Sequence, residues 1–449
     1  MPLFVVRLTR GMRDSRATPM TGEVIRRTLL SATLALAAVA PAAPAADLWV
    51  DGGSTACSDA RTAAQVVTRA TPWCSLAPAA AQARASDVVR IAAAVYRGTL
   101  RPLNSGTSSA PIRFAAVEPG VVLDAAGAAN AVKLIGVSDV ALEGMTVRGG
   151  ASQGVWVESA PRAALLDLVV SANPGAGIQV KATSGLRVER SAIVGNGRAG
   201  ILEHAGTTGA RYVGNAITDN GIGGGTYGGD GIQLGGTGAL VAGNQIGANS
   251  DAGPYEHGIY AAAGSSGWTI EDNELRDNGG ANVKAAGGPG IVRGNHMTNG
   301  RYGIVLSDNP SAVLVEGNVL DGRAQHLVFL TAGATAARAR LLGNTVVQSG
   351  RAATSGDASA LFVNAAASLE LRGNVLCYTG ADALGVGLWV NDASRLGGFA
   401  SDDNRLCSTD TGGRHFAWNG SRTTLAGWRA ASGQDAHSLA GTPAAILPP

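Results

Sequence analysis

The sequence predicts an all-β fold, a parallel β-helix in which one solenoid is built from coils of 22 to 30 residues. Three observations predict it. First, a fragment (small residue, Asn, any residue, aliphatic) returns eight times: Gly214-Asn215-Ala216-Ile217, Gly243-Asn244-Gln245-Ile246, Asp272-Asn273-Glu274-Leu275, Gly294-Asn295-His296-Met297, and again at Asn318, Asn344, Asn374 and Asn404. Its aliphatic position extends back to Val147, Val170 and Ile193. Second, Gly followed by alternating aliphatics recurs at Gly177-Ile178-Gln179-Val180, Gly231-Ile232-Gln233-Leu234, Gly258-Ile259-Tyr260-Ala261 and Gly303-Ile304-Val305-Leu306. Alternation over so few residues, bounded by Gly and Asn, is strand grammar; a helical repeat needs about ten or more residues at 3.6 periodicity. Third, 64 glycines and only 15% charged residues suit tight corners around a narrow aliphatic core.

Equivalent positions of successive coils stack about 4.8 Å apart. The eight Asn residues then form an internal ladder, each amide bonding to the next and to corner backbone, which makes them structural.

Taken in order, residues 1–46 read as an export signal. Arg26-Arg27 precede an apolar run over residues 28–39, and an Ala43-Pro44-Ala45 cleavage pattern follows. The run is too short to span a bilayer, and Met20 offers a more ordinary start. Residues 47–140 hold an N-terminal cap and the first coils, 141–410 the repeats, and 411–449 a closing segment. Removing residues 1–46 takes 6 of 35 basic and 2 of 33 acidic residues, leaving 29 against 31 and a net charge of −2. No basic field points to nucleic acid, and nothing after the signal points to a membrane. One elongated, monomeric domain is expected in a secreted or periplasmic setting.

Four cysteines in an exported chain argue for two disulfides. Cys377 and Cys407 each lie one residue past the same coil position (Leu376, Leu406), so stacking brings them within bonding range. Cys57 and Cys74 form the other pair. A zinc site is the rival reading, but no Cys-x-x-Cys or neighbouring His pair supports it.

The chain resembles the right-handed parallel β-helix proteins, the pectate-lyase-like group of secreted polysaccharide-active proteins. The residues that carry this are Pro72-Trp73-Cys74-Ser75-Leu76, Tyr96-Arg97-Gly98-Thr99-Leu100 and Ala110-Pro111-Ile112 at the entry. Leu425-Ala426-Gly427-Trp428 and Gly433-Gln434-Asp435-Ala436-His437-Ser438 carry it at the close. The resemblance implies a right-handed coil and a polysaccharide partner; it does not imply one reaction. The dense Asp cluster that binds calcium in pectate lyases is absent, as is the Asp-Pro-His core of alginate C5-epimerases, of which Gly253-Pro254-Tyr255-Glu256-His257 is a faint echo.

One irregularity points to a site. The turn between the Asn strand and the Gly strand spans 8 residues at Val170 to Ile178 and at Ile193 to Ile201. It grows to 15 at Ile217 to Ile232 and 13 at Ile246 to Ile259. Insertions at residues 220–229 and 247–256 therefore share one edge of consecutive coils, and such insertions wall a binding surface. Beside them lie Asp230, His257, and the outward Gln233 and Tyr260; Lys284 follows in the next coil, Arg301 and Tyr302 in the one after, then His326.

β-Elimination on a uronate needs a cation to neutralise the carboxylate, a base for the neighbouring C–H and an acid for the leaving oxygen. Lys284 or His257 would be the base, Tyr260 the acid and Arg301 the cation, with Asp230, Gln233, Tyr302 and His326 binding substrate. No cofactor is required by the sequence; a Ca²⁺ held by Asp230 and Asp251 is the alternative source of positive charge. Three classes stay open: a polysaccharide lyase; a glycoside hydrolase or C5-epimerase, for which Glu203, Asp230, Asp251 and Glu256 are the acids at hand; and a non-catalytic glycan-binding solenoid. In the last, Lys284 is a solvated face, His257 and His326 stack with Tyr302, and Asp230 caps a turn.

Overall fold

The computed structural model describes residues 45–222, 228–250, 255–308, 310–331, 333–334, 337–350, 358–381 and 385–447. The expected export signal falls almost wholly outside them, as do Asp251 and parts of both inserted turns. Three long sheets run the length of the described chain, with fourteen, fourteen and thirteen strands. Sheet A begins at Asp47–Val50 and sheet B at Ala94–Arg97, while sheet C begins at Asn130–Ile135. Successive coils add one strand to each sheet in parallel; the exception is the final hairpin of sheet C, Phe416–Trp418 against Ser421–Thr423.

The repeat read from the sequence is the register of sheet B. Val147 pairs with Val170, Ile193, Ile217, Ile246 and Leu275 in turn, and the column runs on to Leu376 and Leu406. Every residue named there is 1% exposed or less, so this stack is core. In sheet C, Val283 pairs with Ile259, which sets Lys284 beside Tyr260.

The Asn column lies at the corner between sheets A and B and is a ladder. Each side-chain amide from Asn215 to Asn374 donates to the Oδ1 of the next at 2.8–3.0 Å. The second N–H of Asn295 goes to the Ile270 carbonyl, and its Oδ1 also accepts the Asn273 backbone N–H. Buried amides left unmade are costly, and here both ends are used.

A second ladder, not read from the repeat, lines the corner between sheets B and C. Asn173, Asn196, Asn220, Asn249 and Asn278 are linked amide to amide at 2.9–3.1 Å, and Asn278 then donates to Asn282. This ladder explains the glycines that open the sheet C strands. A Cβ at Gly231 would lie 2.9 Å from the Asn249 amide, and one at Gly258 2.7 Å from that of Asn278.

Both ends of the solenoid are closed. The helix Leu76–Gln82 and the buried Trp73, whose indole N–H donates to the Arg61 carbonyl at 2.8 Å, cap the first coils. Cys57 and Cys74 are bonded there with Cα atoms 4.9 Å apart. At the far end the helix Leu425–Ser432 seats Trp428, which donates to Asp435 at 2.7 Å, and Asn404 hands its ladder on to Asp435 and Ser438. Cys377 and Cys407, neighbours in sheet B, form the second disulfide with Cα atoms 4.5 Å apart.

Candidate active site on the outer face of sheet C

Outward positions of sheet C stack one per coil. One column runs Lys133, Trp156, Gln179, Leu202, Gln233, Tyr260, Lys284 and Val305. The parallel register therefore brings Gln233, Tyr260 and Lys284 into contact from three coils about 27 residues apart. The Lys284 Nζ sits 5.0 Å from the centre of the Tyr260 ring, a cation–π contact. Burial raises the Tyr260 hydroxyl above its ordinary value, helped by the charges of Asp308 and Asp230.

Behind this row, at the foot of the inserted turns, are Asp230 and His257. Both are buried, 3% and 4% exposed. The Asp230 Oδ1 accepts the His257 backbone N–H at 2.6 Å. Burial, with a smaller push from the Glu256 charge, holds the Asp230 carboxyl up at about 7 against the His257 N–H and the Lys284 charge. Glu256 is buried too; it accepts the Ser250 hydroxyl and packs against Gly229. The His257 Nδ1 accepts the Ala281 backbone N–H at 2.9 Å, which leaves the proton of the neutral ring on Nε2. Burial, then the Lys284 charge, pushes His257 down to about 3. With its lone pair already used, the ring faces its surroundings as a donor, against its expected role as a base. It packs 5.7 Å from Tyr260, centre to centre.

Other expected residues fall elsewhere. Arg301 is exposed and lies over Tyr302, 5.8 Å from its ring, one coil beyond Lys284. Tyr302 donates to Gln325 at 2.9 Å and stacks on His326. His326 is buried, packed 4.3 Å from Phe362 and bonded through Nδ1 to Ser359, so it does not present itself to a ligand. Glu203 is corrected outright as a catalytic acid: it points into the core, where it accepts the Tyr212 hydroxyl at 2.7 Å and the Gly236 N–H at 2.8 Å. The sheet period decides this, since Glu203 follows Ile201 by two and shares its face. Asp251 lies outside the described residues, so the suggested Asp230–Asp251 cation pair has only one described member.

Two contributors were missed. Asp308, whose charge reaches Tyr260, follows the strand Tyr302–Leu306 by two residues. Trp156 was legible by carrying the outward column of Gln179 back one coil. An apolar groove of about 530 Å³ on sheet A, floored by Ile291 and Leu314, lies on a different face and gathers no such titratable groups.

A solenoid of three parallel sheets, with one edge enlarged over a cluster of titratable side chains, defines a β-helix protein with one differentiated face. The chain belongs to the right-handed β-helix family: the model "Right handed beta helix region" matches residues 124–246 and 226–376, together over half of its length. No curated protein matches it in sequence. Among solved structures, the GH136 lacto-N-biosidase from Eubacterium ramulus superposes with a TM-score of 0.52 at 14% identity, over 80% of this chain and 67% of that one. XylC in complex with xylose gives 0.51 at 10% identity, over 88% and 86%. The pectate lyase Pel9A gives 0.45 at 15% identity, over 61% and 76%. The first two likenesses show the fold.

Proposed function

We propose that the chain is an exported, glycan-active enzyme that cleaves a uronate-containing polysaccharide by β-elimination. One observation carries this reading: a lysine cation, a tyrosine hydroxyl and a buried carboxyl lie together at the foot of both inserted turns. In the reaction, Lys284 pairs with the uronate carboxylate and so acidifies the neighbouring C–H. Asp230, whose pKa of about 7 suits proton transfer near neutrality, removes that proton. The C–O bond to the leaving sugar breaks as the ring double bond forms, and the Tyr260 hydroxyl protonates the leaving oxygen. Asp230 replaces Lys284 as the base because Lys284, against the Tyr260 ring, is better placed to hold charge. Sugar ligands suit the fold, since a lacto-N-biosidase and a xylose complex share it. Two disulfides suit a secreted or periplasmic setting, and no helix of the described residues is long and apolar enough to cross a membrane.

A second reading has its own observation. Asp230 and Glu256 are both buried and close enough for the Glu256 charge to raise Asp230, a pairing of carboxyls that glycoside hydrolysis also uses. Incubating the protein with polygalacturonate, alginate and neutral glycans separates the two. Unsaturated uronates, seen by ultraviolet absorbance, are expected; new reducing ends without that absorbance would replace elimination by hydrolysis.

A further inference from the structure

The outward column of sheet C is not symmetric about the reacting centre. Toward the N-terminal coils, Gln233, Leu202, Gln179 and Trp156 are all half-buried. Toward the C-terminal coils the column is apolar and more deeply buried: Val305, Phe362 and Trp389 are 6%, 7% and 6% exposed, Phe329 between the first two is half-buried, and Phe362 and Trp389 cluster with Val386 and Ala417. All three lysines of the chain, Lys133, Lys181 and Lys284, stand on the outer face of sheet C. Lys133 is the register partner of Trp156, and Lys181 pairs with Glu158 in the same coil as Trp156, at 3.1 Å. The Trp156 indole N–H is buried without a protein acceptor among the described residues, so it is the ring and not the N–H that meets solvent. By contrast, arginines on the outer face of sheet A, such as Arg113 and Arg293, are held in pairs with Glu143 and Glu271.

From this we infer that the outer face of sheet C is a one-ended groove for an acidic glycan: Trp156 is the platform for a sugar unit four coils from Tyr260, and the chain does not extend past Lys284. The inference rests on the proposed reading for the position of the reacting centre. Four steps of about 4.8 Å place Trp156 some 19 Å from Tyr260, so only an oligosaccharide of several units reaches both. A pyranose ring offers an apolar face to the indole and, if a uronate, a carboxylate to Lys133. Because the C-terminal side is blocked, chains are engaged at an end and shortened by small steps rather than cut at random.

Native affinity electrophoresis of the whole protein through gels containing polygalacturonate or alginate tests the groove without requiring turnover. Trp156→Ala is expected to weaken retention by polymer about tenfold more than it weakens binding of a trisaccharide, the order of one lost aromatic contact. Trp156→Phe, which keeps a ring, is expected to restore most of the loss at an unchanged melting temperature. At constant polymer mass, fragmenting the polymer to lengths still above six units is expected to raise the amount of protein bound, because ends multiply. Equal effects of Trp156→Ala on polymer and trisaccharide, capacity that follows mass instead of ends, or no retention of the wild type on any uronate polymer overturns the groove. Retention that depends on Trp156 and on chain ends, with no unsaturated product formed, overturns the elimination chemistry and leaves the groove standing.

Discussion

Two corners of the same coils solve one problem to different extents. At the corner between sheets A and B, the asparagine ladder runs unbroken from Asn215 to Asn404. At the corner between sheets B and C, the ladder starts earlier, at Asn173, and stops at Asn278 and Asn282. The inserted turns spring from that second corner, directly after Asn220 and Asn249. A continuous ladder of saturated amides fixes each corner to the next, and insertion there would break the stack. The second corner keeps its ladder residues and inserts just beyond them, so the roots of both turns stay bonded. Asp230 and His257 follow those turns at once. The lesson is that a solenoid can grow a site at one edge only where its ladder is held in place beneath the insertion.

The largest effect expected from this contrast is on turnover. Lys284→Ala, Asp230→Asn and Tyr260→Phe should each fold and each lower elimination by about 10²–10⁴, the usual cost of losing a proton-transfer or charge-neutralising group. Asn295→Ala, at the other corner, should leave the rate of the folded protein near wild type. Near wild-type rates for all three site variants on a proven substrate would remove the site from this edge.

Acid sensitivity sharpens the same contrast. The raised Asp230 gives the folded state an extra proton between the ordinary carboxylate range and about pH 7, so it lowers stability as pH rises there. His257 and His326, each pushed down to about 3, leave the folded state short of protons below the ordinary histidine value and lower stability as pH falls. Between about pH 4 and 6 the two histidines outweigh the one carboxyl, so these three groups together destabilise the protein on acidification, by about 1.4 kcal/mol per pH unit for the one uncompensated proton. Asp230→Asn removes the opposing group and should roughly double that slope. Urea midpoints measured from pH 4 to 6 check it: parallel curves for wild type and Asp230→Asn would mean that Asp230 ionises normally.

Sequence and structure agree where a physical constraint repeats and part where it does not. Coil register, the first ladder and the Cys377–Cys407 pair were legible because each recurs at a fixed offset from one aliphatic column. The second ladder obeys an equally regular rule, Asn three residues after that aliphatic, and was hidden because Gly300 stands in its place in the coil of Met297. Asp230, His257, Tyr260 and Lys284 were legible as neighbours, since parallel stacking converts register into contact. Their roles were not. That His257 uses its lone pair on Ala281 depends on side-chain direction at a corner where the two-residue period is interrupted, whereas the inward turn of Glu203 to Tyr212 follows from that period once the strand is placed.

A stability test compares the corners directly. Asn295→Ala removes the acceptor of both the side-chain amide and the backbone N–H of buried Asn273, and should cost roughly 1–3 kcal/mol. Asn249→Ala, in the second ladder, should cost a similar amount, since both the side-chain amide and the backbone N–H of Asn220 lose their acceptor. If Asn249→Ala is much the milder of the two, the second ladder is decoration and does not anchor the inserted turn.

The smallest effect belongs to an asparagine that sits in neither ladder. Asn299 occupies the second corner of the very coil that Asn295 serves at the first, yet it is exposed and its side chain donates to Asp277, at 3.0 Å, on the surface. Its φ of +52° is left-handed, a conformation that favours Asn or Gly over most residues. Here the same position is already taken by alanine in other coils, Ala172 at +53° and Ala248 at +51°. The local turn therefore tolerates a Cβ without a polar side chain, and nothing buried loses a partner. Asn299→Ala should change unfolding free energy by less than about 0.5 kcal/mol, as surface substitutions usually do. A loss equal to that of Asn295→Ala would show that the ladder at the second corner continues past Asn282, and that the two corners are alike after all.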